Sequence, residues 1–174
     1  GGTGKTTLAK VVFNDSAVSK HFDILSWVYV SVYFDQAKII HILLESLKVE
    51  NHENIKGLKD LQSTLESTLK SKRFLIVLDD MWEDSEKEKW DELLTPLLTN
   101  DVVGNKILVT TRKPSVAKLI GETDTINLDG LKPDDFWDLF KECAFGNENY
   151  KGGRKLEKIG KDIVIQLKGN PFAA

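Results

Sequence analysis

The chain has 174 residues, of which 41% are hydrophobic and 29% are charged, a profile typical of a folded globular protein and not of a disordered one. Its 24 basic and 27 acidic residues give a net charge of −3, which argues against a basic surface for nucleic acid. A single cysteine excludes an internal disulfide, and no apolar run approaches the roughly 18 residues that span a bilayer. With no recognisable leader segment, we expect a soluble cytoplasmic protein that has no membrane-spanning segment and no nucleic-acid partner.

The chain opens with a glycine-rich segment followed by lysine and threonine. Residues 1–6 match the last six positions of the eight-residue phosphate loop G-x-x-x-x-G-K-[ST]. In such a loop the backbone N–H groups point inward and bind phosphate at a helix N-terminus. We therefore expect a nucleotide ligand with Mg²⁺, bound through Gly1, Gly2, Thr3, Gly4, Lys5, Thr6 and Thr7.

Three residues of this loop have distinct expected roles. Lys5 would reach the β- and γ-phosphates, and the hydroxyl of Thr6 would complete the coordination of Mg²⁺. Thr7 would cap the first helical turn beside the α-phosphate. The alternative is a flexible glycine-rich terminus that happens to precede Lys and Thr. A buried strand leads into intact loops of this kind, so the sequence is expected to be a fragment that starts after its first strand.

Helical and strand patterns alternate along the rest of the chain. A helical stripe follows the loop at Leu8, Val11 and Val12, and further helical patterns cover residues 40–47, 58–69, 134–145 and 156–168. Strand patterns cover residues 24–32, 74–78, 106–109 and, more weakly, 125–128, and the first of these reads as buried on both faces. The alternation predicts an α/β fold in which helices cover both faces of a parallel sheet, with ligands beyond the carboxyl ends of the strands.

The patterns also indicate where the chain divides. Strand patterns stop after residue 128, and only helical patterns follow. We expect a nucleotide-binding domain over residues 1–130, truncated at its N-terminus, and part of a small helical domain over residues 131–174. Cys143 lies on a helical pattern among aromatic residues and is expected to be a buried thiol.

Acidic and basic side chains follow two of the predicted strands. Asp79 and Asp80 close the apolar run 74–78, and Arg112 follows the strand 106–109. In a phosphate-loop protein Asp79 can hold Mg²⁺, and Asp80 can orient or deprotonate the water that attacks the γ-phosphate. Arg112 can contact the γ-phosphate and sense its presence. The alternatives are an Asp-Asp turn that ends a strand and an exposed arginine that begins the next helix.

Six blocks, in this order, resemble the NB-ARC domain, the nucleotide switch of plant intracellular disease-resistance proteins with leucine-rich repeats. The blocks are Gly1–Thr7; His21-Phe22-Asp23 with Trp27–Ser31; Leu78–Trp82; Lys106–Arg112; the helical block from Leu128 to Phe145; and Gly169–Ala173, which resembles Gly-Leu-Pro-Leu-Ala. Trp82, directly after Leu-Asp-Asp-Met, resembles the class with a coiled-coil N-terminal domain. The likeness covers the whole chain, from the phosphate loop to the Gly-x-Pro block.

The resemblance implies a five-stranded P-loop NTPase domain, followed by a helical domain, that acts as a molecular switch. ADP would hold the protein closed, and exchange for ATP would open it to self-associate and start the defence response. Slow hydrolysis would then reset it. The resemblance makes Lys5 and Asp80 catalytic, Thr6 and Asp79 the Mg²⁺ ligands and Arg112 the γ-phosphate sensor, and it places Pro171 on the adenine. In the longer protein, the coiled-coil and leucine-rich-repeat domains would be intramolecular partners.

Two features leave alternatives open. Asn170 and Phe172 stand where the family has leucines, which bears on packing at the adenine. A metabolic phosphotransferase with the same loop would need a lid rich in arginine, and the chain offers only Arg73, Arg112 and Arg154. A scaffold that binds nucleotide without turnover is the third alternative.

Overall fold

In the computed structural model, which describes residues 2–30, 34–82, 85–121, 125–146 and 154–174, three parallel strands form one sheet. The strands are β1 (Ile24–Tyr29), β2 (Phe74–Met81) and β3 (Lys106–Thr111), in the spatial order β1-β2-β3. The helices of these residues are α1 (Lys5–Phe13), α2 (Ser16–His21), α3 (Gln36–Ser46), α4 (Leu58–Leu69), α5 (Lys87–Leu98), α6 (Pro114–Ile120), α7 (Pro133–Phe145) and α8 (Arg154–Leu167). Short 3₁₀ helices cover His52–Asn54 and Pro171–Ala173.

The chain divides into two compact units. One is Thr6–Thr125, which contains the sheet, and the other combines Gly1–Lys5 with Ile126–Ala174. In the first unit α3, α4 and α5 pack on one another, α3 packs on β1 and α6 packs on β3. In the second unit α7 packs against α8, and the absence of a side chain at Gly160 brings the ring of Trp137 close to the α8 backbone.

The central strand is the most deeply buried part of the sheet. Phe74, Ile76, Leu78 and Met81 join the main hydrophobic core with the inner faces of α3, α4 and α5. The residues between them on the opposite face, Leu75 and Val77, are buried as well. Residues on both faces of β2 are therefore buried, as expected for a central strand of a parallel sheet. This confirms the predicted fold class.

Several local predictions need correction. Residues 125–128 form no strand; they carry no ladder pairing, and Ile126 is 78% exposed. β1 is buried on alternate residues and not on both faces: Leu25 and Trp27 on its second face are only half-buried, and Tyr29 at its end is 62% exposed. The predicted residues 31 and 32 lie outside the described part of the chain. Cys143 is exposed, because it lies in the last turn of α7, where residues 142–145 are all exposed.

We expect the same isoleucine-to-alanine substitution to have very different effects on stability at a buried and at an exposed position. Ile76→Ala empties space at a fully buried position of β2 and should lower the free energy of unfolding by about 2–5 kcal/mol. Ile126→Ala removes the same atoms from an exposed side chain and should change it by less than about 0.5 kcal/mol. Denaturant unfolding of both variants checks this, and equal losses would contradict the assigned core.

Candidate functional site

A bulge interrupts the central strand where its two carboxylates stand. Leu78 pairs with Val109 and Met81 with Thr111, so Asp79 and Asp80 together oppose the single residue Thr110. Asp80 has a φ of 58°, in the left-handed region that aspartate tolerates better than most residues. Consecutive strand residues normally point to opposite faces, and the bulge relaxes this rule. Both carboxylates can therefore serve the same end of the sheet.

Thr110 connects the two halves of the bulge. Its hydroxyl donates a hydrogen bond of 2.5 Å to Oδ1 of Asp79 and accepts one of 2.9 Å from the backbone N–H of Asp80. Oδ1 of Asp79 also accepts a hydrogen bond of 2.8 Å from the hydroxyl of Thr6. Asp79 is only 3% exposed, so these bonds replace the water that a carboxylate otherwise requires. The arrangement holds an oxygen of Asp79 and the hydroxyl of Thr6 side by side.

Arg112 turns back from the end of β3 toward Asp80. Its Nε lies 3.2 Å from Oδ1 of Asp80, and its Nη2 lies 3.5 Å from Oδ2. The guanidinium carbon is 5.1 Å from the centre of the Trp82 ring, within the range of a cation–π contact. The hydroxyl of Tyr29 lies 3.5 Å from Oδ2 of Asp80. Side chains from the ends of all three strands thus meet at Asp80.

The glycine-rich loop is described within the other unit. Gly2 and Gly4 have φ values of 82° and 89°, which favour glycine, and the Nζ of Lys5 donates to the hydroxyl of Thr3 at 3.1 Å. Apart from its chain neighbours, no heavy atom lies within 4 Å of the point where a Cβ would stand on Gly4. The loop therefore combines positive φ angles that favour glycine with open space beside Gly4.

The C-terminal 3₁₀ helix lies against this loop. A Cβ on Gly2 would collide with the Asn170 side chain and would stand 2.8 Å from Cβ of Phe172. The side chain of Asn170 caps the turn by accepting from the N–H of Phe172 at 3.1 Å. Pro171 lies between these two residues and begins the 3₁₀ helix. The departures from the family pattern noted in the sequence are therefore the residues that contact Gly2.

The structure brings some of the predicted site residues together and leaves others apart. Within Thr6–Thr125 it joins Thr6, Asp79, Asp80 and Arg112, whereas Thr7 is exposed on α1. Gly1 lies outside the described residues. Sequence reasoning missed Thr110 as the residue that holds the bulge, although a hydroxyl residue at the end of β3, directly before Thr111 and Arg112, was the available signal.

The described ranges contain no group of three or more His, Cys, Asp or Glu side chains that could hold a metal ion. Within them, no helix has the length and apolar character needed to cross a membrane.

Thr110→Val should test how the bulge is held, because valine keeps the shape of threonine and lacks its hydroxyl. The change leaves the N–H of Asp80 without its acceptor and takes one donor from buried Asp79, so stability should fall by about 1–3 kcal/mol. Thr110→Ser retains the hydroxyl and should recover most of the loss. Chemical unfolding compares the two variants, and equal stabilities would show that the hydroxyl does not hold the bulge.

The chain matches the NB-ARC domain over residues 1–150. Disease resistance protein RGA2 of Solanum bulbocastanum is 38% identical over 174 residues, an alignment that covers 100% of this chain and 18% of the relative. Disease resistance RPP13-like protein 4 of Arabidopsis thaliana is 37% identical over 175 residues, covering 99% of this chain and 20% of the relative.

A third relative, disease resistance protein RPP13 of Arabidopsis thaliana, is 32% identical over 178 residues, covering 99% of this chain and 21% of its own length. The chain therefore spans only about a fifth of the length of these relatives. The match to the domain nevertheless includes most of the chain, together with the glycine-rich loop and the strand ends described above. The chain belongs to the NB-ARC domain family.

Proposed function

We propose that this chain is the ADP- and ATP-binding switch of a larger cytoplasmic plant immune receptor, with slow ATP hydrolysis that resets it. Membership of the NB-ARC domain family implies nucleotide binding. The relatives named as disease resistance proteins support a role in defence against pathogens. The coiled-coil and leucine-rich-repeat partners, and self-association on activation, form part of the proposal for the longer protein.

The observation that carries the proposal is the 2.8 Å contact between Thr6 and Asp79. Mg²⁺ prefers oxygen ligands and usually takes only one or two carboxylates, completing its shell with phosphate and water. A hydroxyl and a buried carboxylate held side by side fit this preference, so a cluster of three acidic or histidine ligands is not needed. Mg²⁺ bound here would neutralise charge on the phosphates.

The remaining site residues support a nucleotide by their chemistry. Gly1, Gly2, Thr3, Gly4 and Lys5 would supply backbone N–H groups and an ammonium group to the phosphates, with Thr6 and Thr7 at the start of α1. Pro171, which lies between the two residues that contact Gly2, would pack on the adenine. On this proposal residues 1–130 form the nucleotide-binding domain and residues 131–174 form part of the helical domain.

Asp80 either acts on the attacking water or serves only as the partner of Arg112. Its carboxylate is paired with Arg112, whereas a general base needs a carboxylate oxygen that can reach the attacking water. The pairing favours a second candidate, a nucleotide-binding scaffold without turnover. In the switch, Asp80 would orient or deprotonate the water once Arg112 turned toward the γ-phosphate.

Lys5→Ala should weaken ADP binding by about tenfold or more, because it removes a charge-assisted hydrogen bond worth about 1.5–3 kcal/mol. Isothermal titration with ADP and Mg²⁺ measures this. At about 100 times the dissociation constant, ADP should also stabilise the unaltered chain by about 2.7 kcal/mol. Lys10→Ala, on the exposed side of the same helix, is the matched control. Equal affinity in both variants would contradict the role of Lys5.

Asp80→Asn should retain ATP binding and reduce hydrolysis by about 100-fold or more, if Asp80 acts on the attacking water. Single-turnover phosphate release measures the rate, with Asp91→Asn on α5 as the control. Hydrolysis that is unchanged in Asp80→Asn would remove Asp80 from this role. A wild-type chain that binds ATP but releases no phosphate would favour the scaffold.

A further inference from the structure

The contact between Arg112 and Trp82 has no role in the function proposed above. Arg112 follows β3 directly, and Trp82 follows β2 directly. Their side chains meet with the guanidinium carbon 5.1 Å from the ring centre. Because β2 and β3 are hydrogen-bonded neighbours, the sheet fixes the distance between the two backbone positions.

The contact acts on an arginine that the ion pair alone holds weakly. The side chain of Arg112 is 50% exposed, and ion pairs at exposed positions add little because water screens them and long side chains lose entropy. Of its two contacts with Asp80, only the one at Nε is as short as 3.2 Å. A flat aromatic ring against the guanidinium favours one orientation of its plane. Arg112 therefore contacts the ring through its guanidinium carbon and the carboxylate through its Nε.

We propose that Trp82 is a positioning residue for Arg112, and that the affinity of the site for a nucleoside triphosphate relative to a diphosphate depends on this ring. The inference rests on the proposed function, in which Arg112 meets the γ-phosphate. A guanidinium group that already lies over the ring needs only to exchange Asp80 for a phosphate oxygen. Without the ring it would sample other orientations and bind the extra phosphate less well.

The test compares the affinities of a non-hydrolysable ATP analogue and of ADP, both with Mg²⁺, for the full chain and its variants. Trp82→Leu should weaken binding of the analogue by about two- to fivefold and leave ADP binding unchanged. Trp82→Phe keeps a ring that attracts cations and should restore most of the preference. Trp27→Leu is the matched control, because Trp27 lies on β1 of the same sheet and packs edge-on against Phe13 of α1.

A double variant shows whether the effect passes through the arginine. Arg112→Gln should reduce the preference for the analogue, and adding Trp82→Leu to it should cause no further loss. If Trp82→Leu leaves the ratio of the two nucleotide affinities unchanged, or if its effect adds fully to that of Arg112→Gln, Trp82 does not position Arg112. The proposed function would not be affected by this outcome. If neither nucleotide binds the wild-type chain, the proposed function and the inference both fail.

Discussion

The hydrogen bonds of Thr110 hold together the part of the molecule where charged side chains meet. One hydroxyl contacts both halves of the β2 bulge, donating to the carboxylate of Asp79 and accepting from the backbone of Asp80. The bulge places two consecutive residues opposite one, so each carboxylate has its own partner. Asp79 meets Thr6, and Asp80 meets Arg112. Both aspartates lie on β2, the buried central strand of the sheet, which holds their backbone in place.

Asp79 and Asp80 are adjacent in sequence, but their surroundings suit them to different roles. Asp79 is almost fully buried and bonded to two hydroxyl groups, which suits a fixed ligand. The side chain of Asp80 is 17% exposed and pairs with an arginine that water can reach, which suits a contact that forms and breaks. A nucleotide switch needs both, because one group must hold the ligand in each state while another must respond to the third phosphate. This division supports the proposed function more strongly than either aspartate alone.

Much of the fold could be predicted from the sequence, and the exceptions have physical causes. The apolar run 74–78 predicted the core of β2, but the strand continues to Met81, because Asp79 and Asp80 end the apolar pattern and not the backbone pairing. Helix α5 was missed, although Trp90, Leu93 and Leu97 follow helical spacing, because charged residues and Pro96 obscure it. Residues 125–128 form no strand because this four-residue segment, with two polar and two apolar residues, is too short to define a strand without partners in a sheet.

The candidate site was also predictable only in part. The convergence of Asp79, Asp80 and Arg112 could be predicted because parallel strands end at one edge of the sheet, and Thr6 because the phosphate-loop motif places it beside them. The left-handed backbone of Asp80 could not, since it depends on Thr110 across the ladder and not on neighbours in sequence. The contacts of Trp82 and Tyr29 with the charged pair depend on that same turn of the backbone.

A crystal structure of the chain with ADP and Mn²⁺ would test whether Thr6 and Asp79 hold the metal, because Mn²⁺ replaces Mg²⁺ and gives an anomalous signal. We expect one manganese peak beside the Thr6 hydroxyl and the Asp79 carboxylate, with the ADP phosphates at the glycine-rich loop. A manganese peak away from both residues, or ADP bound elsewhere on the chain, would show that Thr6 and Asp79 do not form the metal site of a bound nucleotide.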